Sequence, residues 1–92
     1  MSVTVLIPQP LRGLTGNLSK VTGDGSTLES LVANLEGSYP GMRDRVMDES
    51  GQMRRFVNIY VNGEDVRFME GLGTALKDGD EISIVPAVAG GA

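Results

Sequence analysis

The C-terminal residues carry the clearest chemical potential in this chain. The segment Val88-Ala89-Gly90-Gly91-Ala92 directly follows a strand-like run at residues 81–85, so we predict a folded body that ends in a thin arm. Glycine has no Cβ and adopts most φ/ψ combinations, so such an arm can enter a narrow cleft and present a main-chain carbonyl carbon as the reacting atom. The alternative is a frayed terminus without function, because chain ends tolerate small residues.

The composition argues against catalysis by side chains. The 92 residues include no cysteine and no histidine, which removes thiol nucleophiles, the commonest general base and the usual zinc ligands. We therefore predict that the protein is not an enzyme by itself. The net charge of −4 argues against nucleic-acid binding. Without a long apolar run or a secretory leader pattern, the chain is expected to be cytoplasmic and to bind no membrane.

Three other clusters are better explained by structure than by chemistry. The run Gly23-Asp24-Gly25-Ser26-Thr27 lacks the lysine of a phosphate-binding loop, and we interpret it as a turn and a helix cap. The carboxylates at residues 44–49 and 78–81 do not match the spacing of a calcium loop, so no metal site is predicted. The arginines could form a basic patch, but interleaved acids favour a solvated face: Arg43, Arg45, Arg54 and Arg55.

The first half of the chain predicts a hairpin followed by a helix. Residues 3–7 are β-branched and apolar, and residues 18–22 alternate apolar and polar side chains, so each run is predicted to be a strand. The glycines of 23–25 are expected to end the second strand. A helix capped by Ser26 or Thr27 should follow, because four aliphatic side chains recur at helical spacing: Leu28, Leu31, Val32 and Leu35.

The second half predicts a short helix and three more strands. Residues 42–48 can form a turn of helix, and residues 55–61 form a strand with alternate aliphatic side chains inward. The Asn62-Gly63 pair predicts a tight hairpin turn, so residues 64–68 should fold back. After a helical turn at 72–76, residues 81–85 form the last strand. We predict an α+β domain, a mixed sheet of four to five strands cradling one main helix, over residues 1–87, with residues 88–92 as a flexible tail.

Outward-facing apolar residues of these strands form a candidate partner surface near the root of the tail. Exposed contiguous apolar area often marks a binding surface. The alternative is that loops cover some of these side chains, the two phenylalanines in particular. The candidates are Leu6, Phe56, Tyr60, Phe68 and Val85.

The end of the chain resembles a known family. The run Asp78-Gly79-Asp80-Glu81-Ile82-Ser83-Ile84-Val85-Pro86-Ala87-Val88-Ala89-Gly90-Gly91 is similar to the C-terminal signature of the ubiquitin-like sulfur carriers of the MoaD and ThiS families. The runs Phe56-Val57-Asn58-Ile59-Tyr60-Val61-Asn62 and Glu64-Asp65-Val66-Arg67-Phe68 look most like the CysO-type carriers of cysteine biosynthesis. The resemblance spans essentially the whole chain, and it implies the β-grasp fold.

The resemblance also implies a mechanism and partners. In such families an E1-like, MoeB-type enzyme uses ATP and Mg²⁺ to adenylate the terminal glycine, and sulfide or a persulfide then gives a thiocarboxylate. Gly91 matches the reacting residue, and Ala89 and Gly90 match the arm that threads the adenylation cleft. No cofactor is expected to bind the carrier itself. The sulfur acceptor would be a cysteine-synthase-like or other enzyme, docked near Leu6, Phe68 and Val85.

Ala92 departs from the family pattern because it covers the carboxylate of the second glycine. It can be a residue removed by a JAMM-type metalloprotease, an addition foreign to the natural protein, or a terminus that the activating enzyme accepts. We favour the first. Other functions also stay open: a ubiquitin-like modifier conjugated to lysines, or a non-catalytic binding module, including the small subunit of molybdopterin synthase.

Overall fold

The computed structural model describes residues 2–86. They form a five-stranded mixed sheet in the order β2-β1-β5-β3-β4, with the main helix packed on one side. The predicted α+β class is confirmed. The predicted boundary at residue 87 and the tail at 88–92 lie outside the described residues. The elements are β1 (Ser2–Leu6), β2 (Lys20–Asp24), α1 (Leu28–Ser38), α2 (Met42–Val46), β3 (Val57–Val61), β4 (Glu64–Asp65) and β5 (Glu81–Pro86).

The centre of the sheet is a parallel pair made from the first and last strands. Val5 of β1 lies beside Ile82 of β5, and Ile82 in turn lies opposite Val61 of the antiparallel strand β3. All three side chains are buried on the face that meets the helix. Because side chains alternate along a strand, the neighbouring residues of β1, β3 and β5 point to the opposite face.

The main helix begins where the sequence predicted. Thr27 is its N-cap: the Thr27 hydroxyl accepts a hydrogen bond from the Ser30 amide at 3.2 Å, and the Ser30 hydroxyl accepts one from the Thr27 amide at 3.0 Å. This reciprocal pair satisfies two of the amides that a helix start leaves unpaired. The four predicted aliphatic side chains are buried: Leu28, Leu31, Val32 and Leu35.

Strand β2 differs from its prediction by two residues. Asn17 takes a φ of 68° and the Leu18 amide bonds to the Thr15 carbonyl at 3.2 Å, so the chain is still turning where the strand was expected to start. The strand also continues through Gly23, which was expected to end it. A Cβ at Gly23 would lie 2.7 Å from a methyl carbon of Leu31, so the helix packs where a side chain would stand.

The hairpin at Asn62-Gly63 is confirmed, with φ values of 52° and 88° at the two turn residues. The return strand is shorter than predicted, because β4 covers only Glu64–Asp65. The strand ends where the Asp65 carboxylate accepts a hydrogen bond from the Arg67 amide at 2.8 Å and caps a 3-10 turn at Val66–Phe68. That turn buries Val66 in the core.

The short helix α2 is held to α1 by a carboxylate. Glu36 accepts hydrogen bonds from the Gly41 amide at 3.1 Å and from the Arg43 amide at 2.9 Å. The bonds to Arg43 and Gly41 hold the pKa of Glu36 below its usual range. None of the helices described between residues 2 and 86 is long and apolar enough to cross a bilayer.

Candidate functional site

The described part of β5 ends at Pro86, the last residue before the predicted arm. Pro86 is half-buried and lies opposite Val57 of β3 in the antiparallel register. The predicted reacting residue Gly91, the threading residues Ala89 and Gly90, and the covering residue Ala92 lie outside the described residues. The described structure therefore bears on the site through the surface from which the arm departs. We call Val85 and Pro86 the tail root.

Three of the predicted partner-surface residues share the outer face of the sheet. Leu6 of β1 and Tyr60 of β3 both pair with Ser83 of β5, so the three lie in one row across the central strands. Val85 lies two residues beyond Ser83 on the same face and is 44 % exposed. Leu6 and Tyr60 are half-buried. The sheet therefore brings Leu6 and Tyr60 together on the same face as Val85 of the tail root.

The two phenylalanines lie at other positions. Phe56 directly precedes β3, is 52 % exposed, and lines a depression with Pro86. Phe68 ends the 3-10 turn after β4 and is 90 % exposed, the most exposed large apolar side chain among residues 2–86. Neither is covered by the loops of the described chain. Their role in partner binding remains a prediction.

Arg67 is a structural residue of this surface that the sequence reasoning missed. Its guanidinium donates to the side-chain oxygen of Asn58 on β3 and, at 2.9 Å, to the main-chain carbonyl of Arg54. These bonds tie the turn that carries Phe68 to the edge of the outer face. The Asn62-Gly63 turn predicted that residues 64–68 fold back, and it gave no signal for such a contact.

Two open depressions meet at the tail root. One, of about 650 Å³, is lined by Pro86 together with Arg45 and Arg54, and the other, of about 430 Å³, by Pro86 with Arg54 and Arg55. In the sequence, a solvated face is the favoured interpretation of these arginines. They are exposed, as that interpretation requires, but the fold also gathers them beside the last described residue. We call Arg45, Arg54 and Arg55 the arginine collar.

The opposite end of β5 is tied down by hydrogen bonds. The Asn62 side chain donates to the Asp80 carboxylate at 2.9 Å and accepts from the Glu81 amide at 3.0 Å. The other oxygen of Asp80 accepts from the Lys77 amide at 2.8 Å. The bond from Asn62, followed by that from Lys77, holds the pKa of Asp80 below its usual range. The carboxylates predicted to occupy a turn are thus turn-forming groups.

The described residues offer a surface and little chemistry of their own. No group of three or more carboxylate, histidine or cysteine side chains that could hold a metal occurs within residues 2–86. Every buried side-chain nitrogen or oxygen in that range has a hydrogen-bond partner. The described part of the chain presents exposed apolar side chains at its outer face, next to Pro86.

Several known proteins are similar to this chain over most of its length. The sequence model of the ThiS family matches residues 5–91. The sulfur carrier protein CysO of Mycobacterium tuberculosis is 54 % identical over 93 residues, covering 99 % of this chain and 100 % of that protein. Small archaeal modifier protein 3 of Haloferax volcanii is 40 % identical over 68 residues, covering 74 % of this chain and 73 % of that protein.

Solved structures agree with the sequence comparison. A crystal structure of Mycobacterium tuberculosis CysO has a TM-score of 0.89 and 52 % identity, covering 94 % of this chain and 99 % of that one. A chain in the crystal structure of the BexX/CysO complex of Amycolatopsis orientalis has a TM-score of 0.91 and 45 % identity, covering 97 % and 99 %. The predicted β-grasp fold is confirmed by these similarities.

Proposed function

Because the chain belongs to the ThiS family, we propose that it is a sulfur carrier whose Gly91 is converted to a thiocarboxylate that donates sulfur for the biosynthesis of cysteine or another sulfur-containing metabolite. The observation that carries this proposal is the whole-length similarity to CysO, together with a diglycine at Gly90 and Gly91. A carrier needs no catalytic side chains, which agrees with a chain that has neither cysteine nor histidine.

The activation step is written for the Gly91 carboxylate. One carboxylate oxygen attacks the α-phosphorus of Mg²⁺-bound ATP in a MoeB-type enzyme, and pyrophosphate leaves. Sulfide then attacks the carbonyl carbon of the acyl adenylate, the bond to AMP breaks, and a thiocarboxylate remains. AMP is a far better leaving group than oxide, so the activating enzyme supplies the chemistry. The carrier contributes a main chain thin enough to reach the reacting atoms.

Ala92 must be removed before this chemistry can involve Gly91. In our proposal a JAMM-type metalloprotease hydrolyses the Gly91–Ala92 peptide bond, with water adding across it, and frees the Gly91 carboxylate. The outer face at Leu6, Tyr60 and Val85, with Phe56 and Phe68 beside it, is then the surface that holds the carrier on its activating and acceptor enzymes. Exposed apolar area next to the reactive arm supports this assignment.

The test is intact-mass analysis of two matched proteins, the full chain and a variant that ends at Gly91. Each is incubated with a purified MoeB-type enzyme, ATP, Mg²⁺ and sulfide. The variant ending at Gly91 should gain the mass difference between sulfur and oxygen, and the full chain should not. Adding a JAMM-type protease should make the full chain reactive. No mass change in the variant would contradict the proposal.

A second candidate function is protein modification. The similarity to small archaeal modifier protein 3 favours it, since that protein is named as a modifier. In this case the activated Gly91 would be attacked by a lysine amine, and an isopeptide would form with loss of AMP. Affinity capture of the tagged chain from cells, followed by trypsin digestion and a search for lysines that carry residues 78–91, distinguishes the two functions, because Lys77 is the last tryptic site before Gly91.

A further inference from the structure

The geometry points to the arginine collar as an electrostatic docking element that fits a carboxylate-lined cleft mouth on the activating enzyme. This inference deepens the proposed function and rests on it, because the collar surrounds the place where the arm would enter that enzyme. The residues are Arg45, Arg54 and Arg55, which line the two depressions that meet at Pro86.

The collar lies at the root of the predicted arm. An arm of a few residues can reach a cleft only if the surface around its root comes close to the rim of that cleft. Arg54 borders both depressions at Pro86, while Arg45 lies in one and Arg55 in the other. All three are exposed. When the arm is threaded, these guanidinium groups must therefore face the partner's rim.

Two of the three guanidinium groups of the collar are unpaired within the described part of the chain. Within residues 2–86, the guanidinium groups of Arg45 and Arg55 take part in no hydrogen bond or ion pair. Arg54 donates through Nε to the main-chain carbonyl of Asp44 at 2.6 Å, which fixes its direction without neutralising it. Arginine at an exposed position pairs readily with carboxylates in a two-pronged geometry. The matching partner surface is acidic.

Two carboxylates lie beside the collar. Asp48, which lines one depression, accepts bonds from the Ser50 hydroxyl at 2.6 Å and the Gln52 amide at 3.1 Å; these bonds and the nearby Arg54 lower its pKa, so it keeps its negative charge. Asp44 lines the other depression. Arg67 adds a further positive charge beside Arg54, to whose carbonyl it donates at 2.9 Å. The three collar arginines and Arg67 therefore outnumber the two aspartates, and the tail root is locally basic in a chain whose net charge is −4.

Rim charges of this kind act on the rate of encounter and on its salt dependence more than on the chemical step. If a molecule is acidic overall and basic around its arm, an acidic cleft will orient it so that the arm points toward the cleft. The collar is thus expected to orient the carrier, while the apolar outer face supplies the contact area. Neither effect requires the collar to touch the reacting atoms.

The experiment measures the association rate constant of the full chain with a purified MoeB-type enzyme, at low and at physiological salt. The test variant is Arg45→Glu with Arg55→Glu, which spares the hydrogen-bonded Arg54. The control is Lys77→Glu with Ala33→Glu and Gly37→Glu, three exposed positions away from Pro86 and from the outer face that together give the same change in net charge. A further pair, Arg45→Lys with Arg55→Lys, preserves the charge.

We expect the test variant to associate on the order of tenfold more slowly at low salt, with a weaker salt dependence, while the control and the lysine pair change little. The turnover rate of thiocarboxylate formation at saturating carrier, measured in chains that end at Gly91, should be unchanged. Equal slowing by the test and control variants, or no slowing in either, would overturn the inference and leave the proposed function intact.

A second measurement decides the inference even if the MoeB-type enzyme fails to bind the chain, an outcome that would count against the proposed function alone. The isotope-labelled full chain is titrated with hexaglutamate, and amide shifts are followed by NMR spectroscopy. Salt-sensitive shifts concentrated around Arg45, Arg54 and Arg55 would support an acid-binding collar. Shifts spread evenly over the surface, or none near these residues, would overturn it.

Discussion

The two ends of β5 are held in opposite ways. At its start, the Thr4 amide bonds to the Asp80 carbonyl at 2.9 Å, and the Asn62 side chain fastens both Asp80 and Glu81. At its end stands Pro86, which has no amide hydrogen to donate, beside exposed arginines. The start of β5 is paired with both β1 and β3 and is fastened by these side-chain bonds, whereas its end is paired with β3 alone. Fewer of the bonds that hold the fold therefore lie at the end next to the predicted arm.

The largest effect should come from the arm itself. In a chain that ends at Gly91, the substitution Gly90→Pro fixes φ and adds a ring where a thin main chain must pass. We expect thiocarboxylate formation by a MoeB-type enzyme to fall below detection in the intact-mass assay. The unfolding midpoint should stay that of the parent chain. Retained activation would mean that the arm is not threaded. The difference between the two ends of β5 would then have no role in activation.

The next largest effect compares two residues of the same strand. Ile82 is 1 % exposed near the start of β5, and truncating it to alanine should cost about 2–5 kcal/mol of unfolding free energy through lost burial and a cavity. Val85 is 44 % exposed near the end, and Val85→Ala should cost less than about 1 kcal/mol. Urea denaturation measures both. Similar losses would refute the view that the buried face of β5 contributes more to stability than its outer face.

A third prediction separates the two roles of Asn62. Asn62→Gly keeps the positive φ of the turn but removes both side-chain hydrogen bonds, so we expect a loss of about 0.5–1.5 kcal/mol. Asn62→Ala also replaces asparagine, which tolerates the left-handed φ of 52°, with alanine, which adopts it at a cost. The alanine variant should therefore lose about 1 kcal/mol more than the glycine variant. If the glycine variant were as stable as the parent, the side-chain bonds at this end would contribute nothing.

The smallest effect concerns pH. Hydrogen bonds from Asn62 and Lys77 lower the pKa of Asp80, so its carboxylate stabilises the fold fully above the pKa of an unfolded aspartate. That contribution is lost as the pH falls through the lower, folded pKa. The gap in urea midpoint between the parent and Asp80→Asn should therefore narrow on acidification below about pH 4.

The same comparison contains its own control. Glu36 and Asp48, whose pKa values are also lowered by hydrogen bonds, titrate in both proteins, so the narrowing reports on Asp80. A gap that stays constant across the acid range would mean that the Asp80 carboxylate is not what holds this end of β5. The charge-reversal experiment on the arginine collar then tests the other end.

The parts of the fold that depend on local signals could be predicted from the sequence. Thr27 as a cap, the aliphatic face of α1 and the turn at Asn62-Gly63 are each specified within a few residues. The errors arose where a distant contact overrode the local pattern. Gly23 stays in a strand because Leu31 packs over it. The predicted strand at 64–68 ends early because Val66 is buried against distant parts of the core, in a turn that Asp65 caps.

The candidate site divides in the same way. The glycines of the arm are visible in any reading of the sequence, and so are the apolar residues of the outer face. The position of the arginine collar is not: the sequence offers these arginines as a possible basic patch, but Arg45 and Arg54 belong to different elements and meet beside Pro86 only after the sheet has formed. In the sequence, the interleaved acids suggest that the arginine charges are cancelled. The local electrostatic field, however, depends on which charges are close in space.

The parallel pairing of β1 with β5 has a consequence for the order of events during synthesis. Thr4 lies beside Glu81, so the middle of the sheet joins residues from opposite ends of the described chain. A ribosome must release β5 before that middle can close, and such distant pairings form slowly. Helix α1 and the β1–β2 hairpin can form earlier, but their apolar faces stay open until then. Nascent chains that stop before β5 should therefore be substrates for chaperones and proteases.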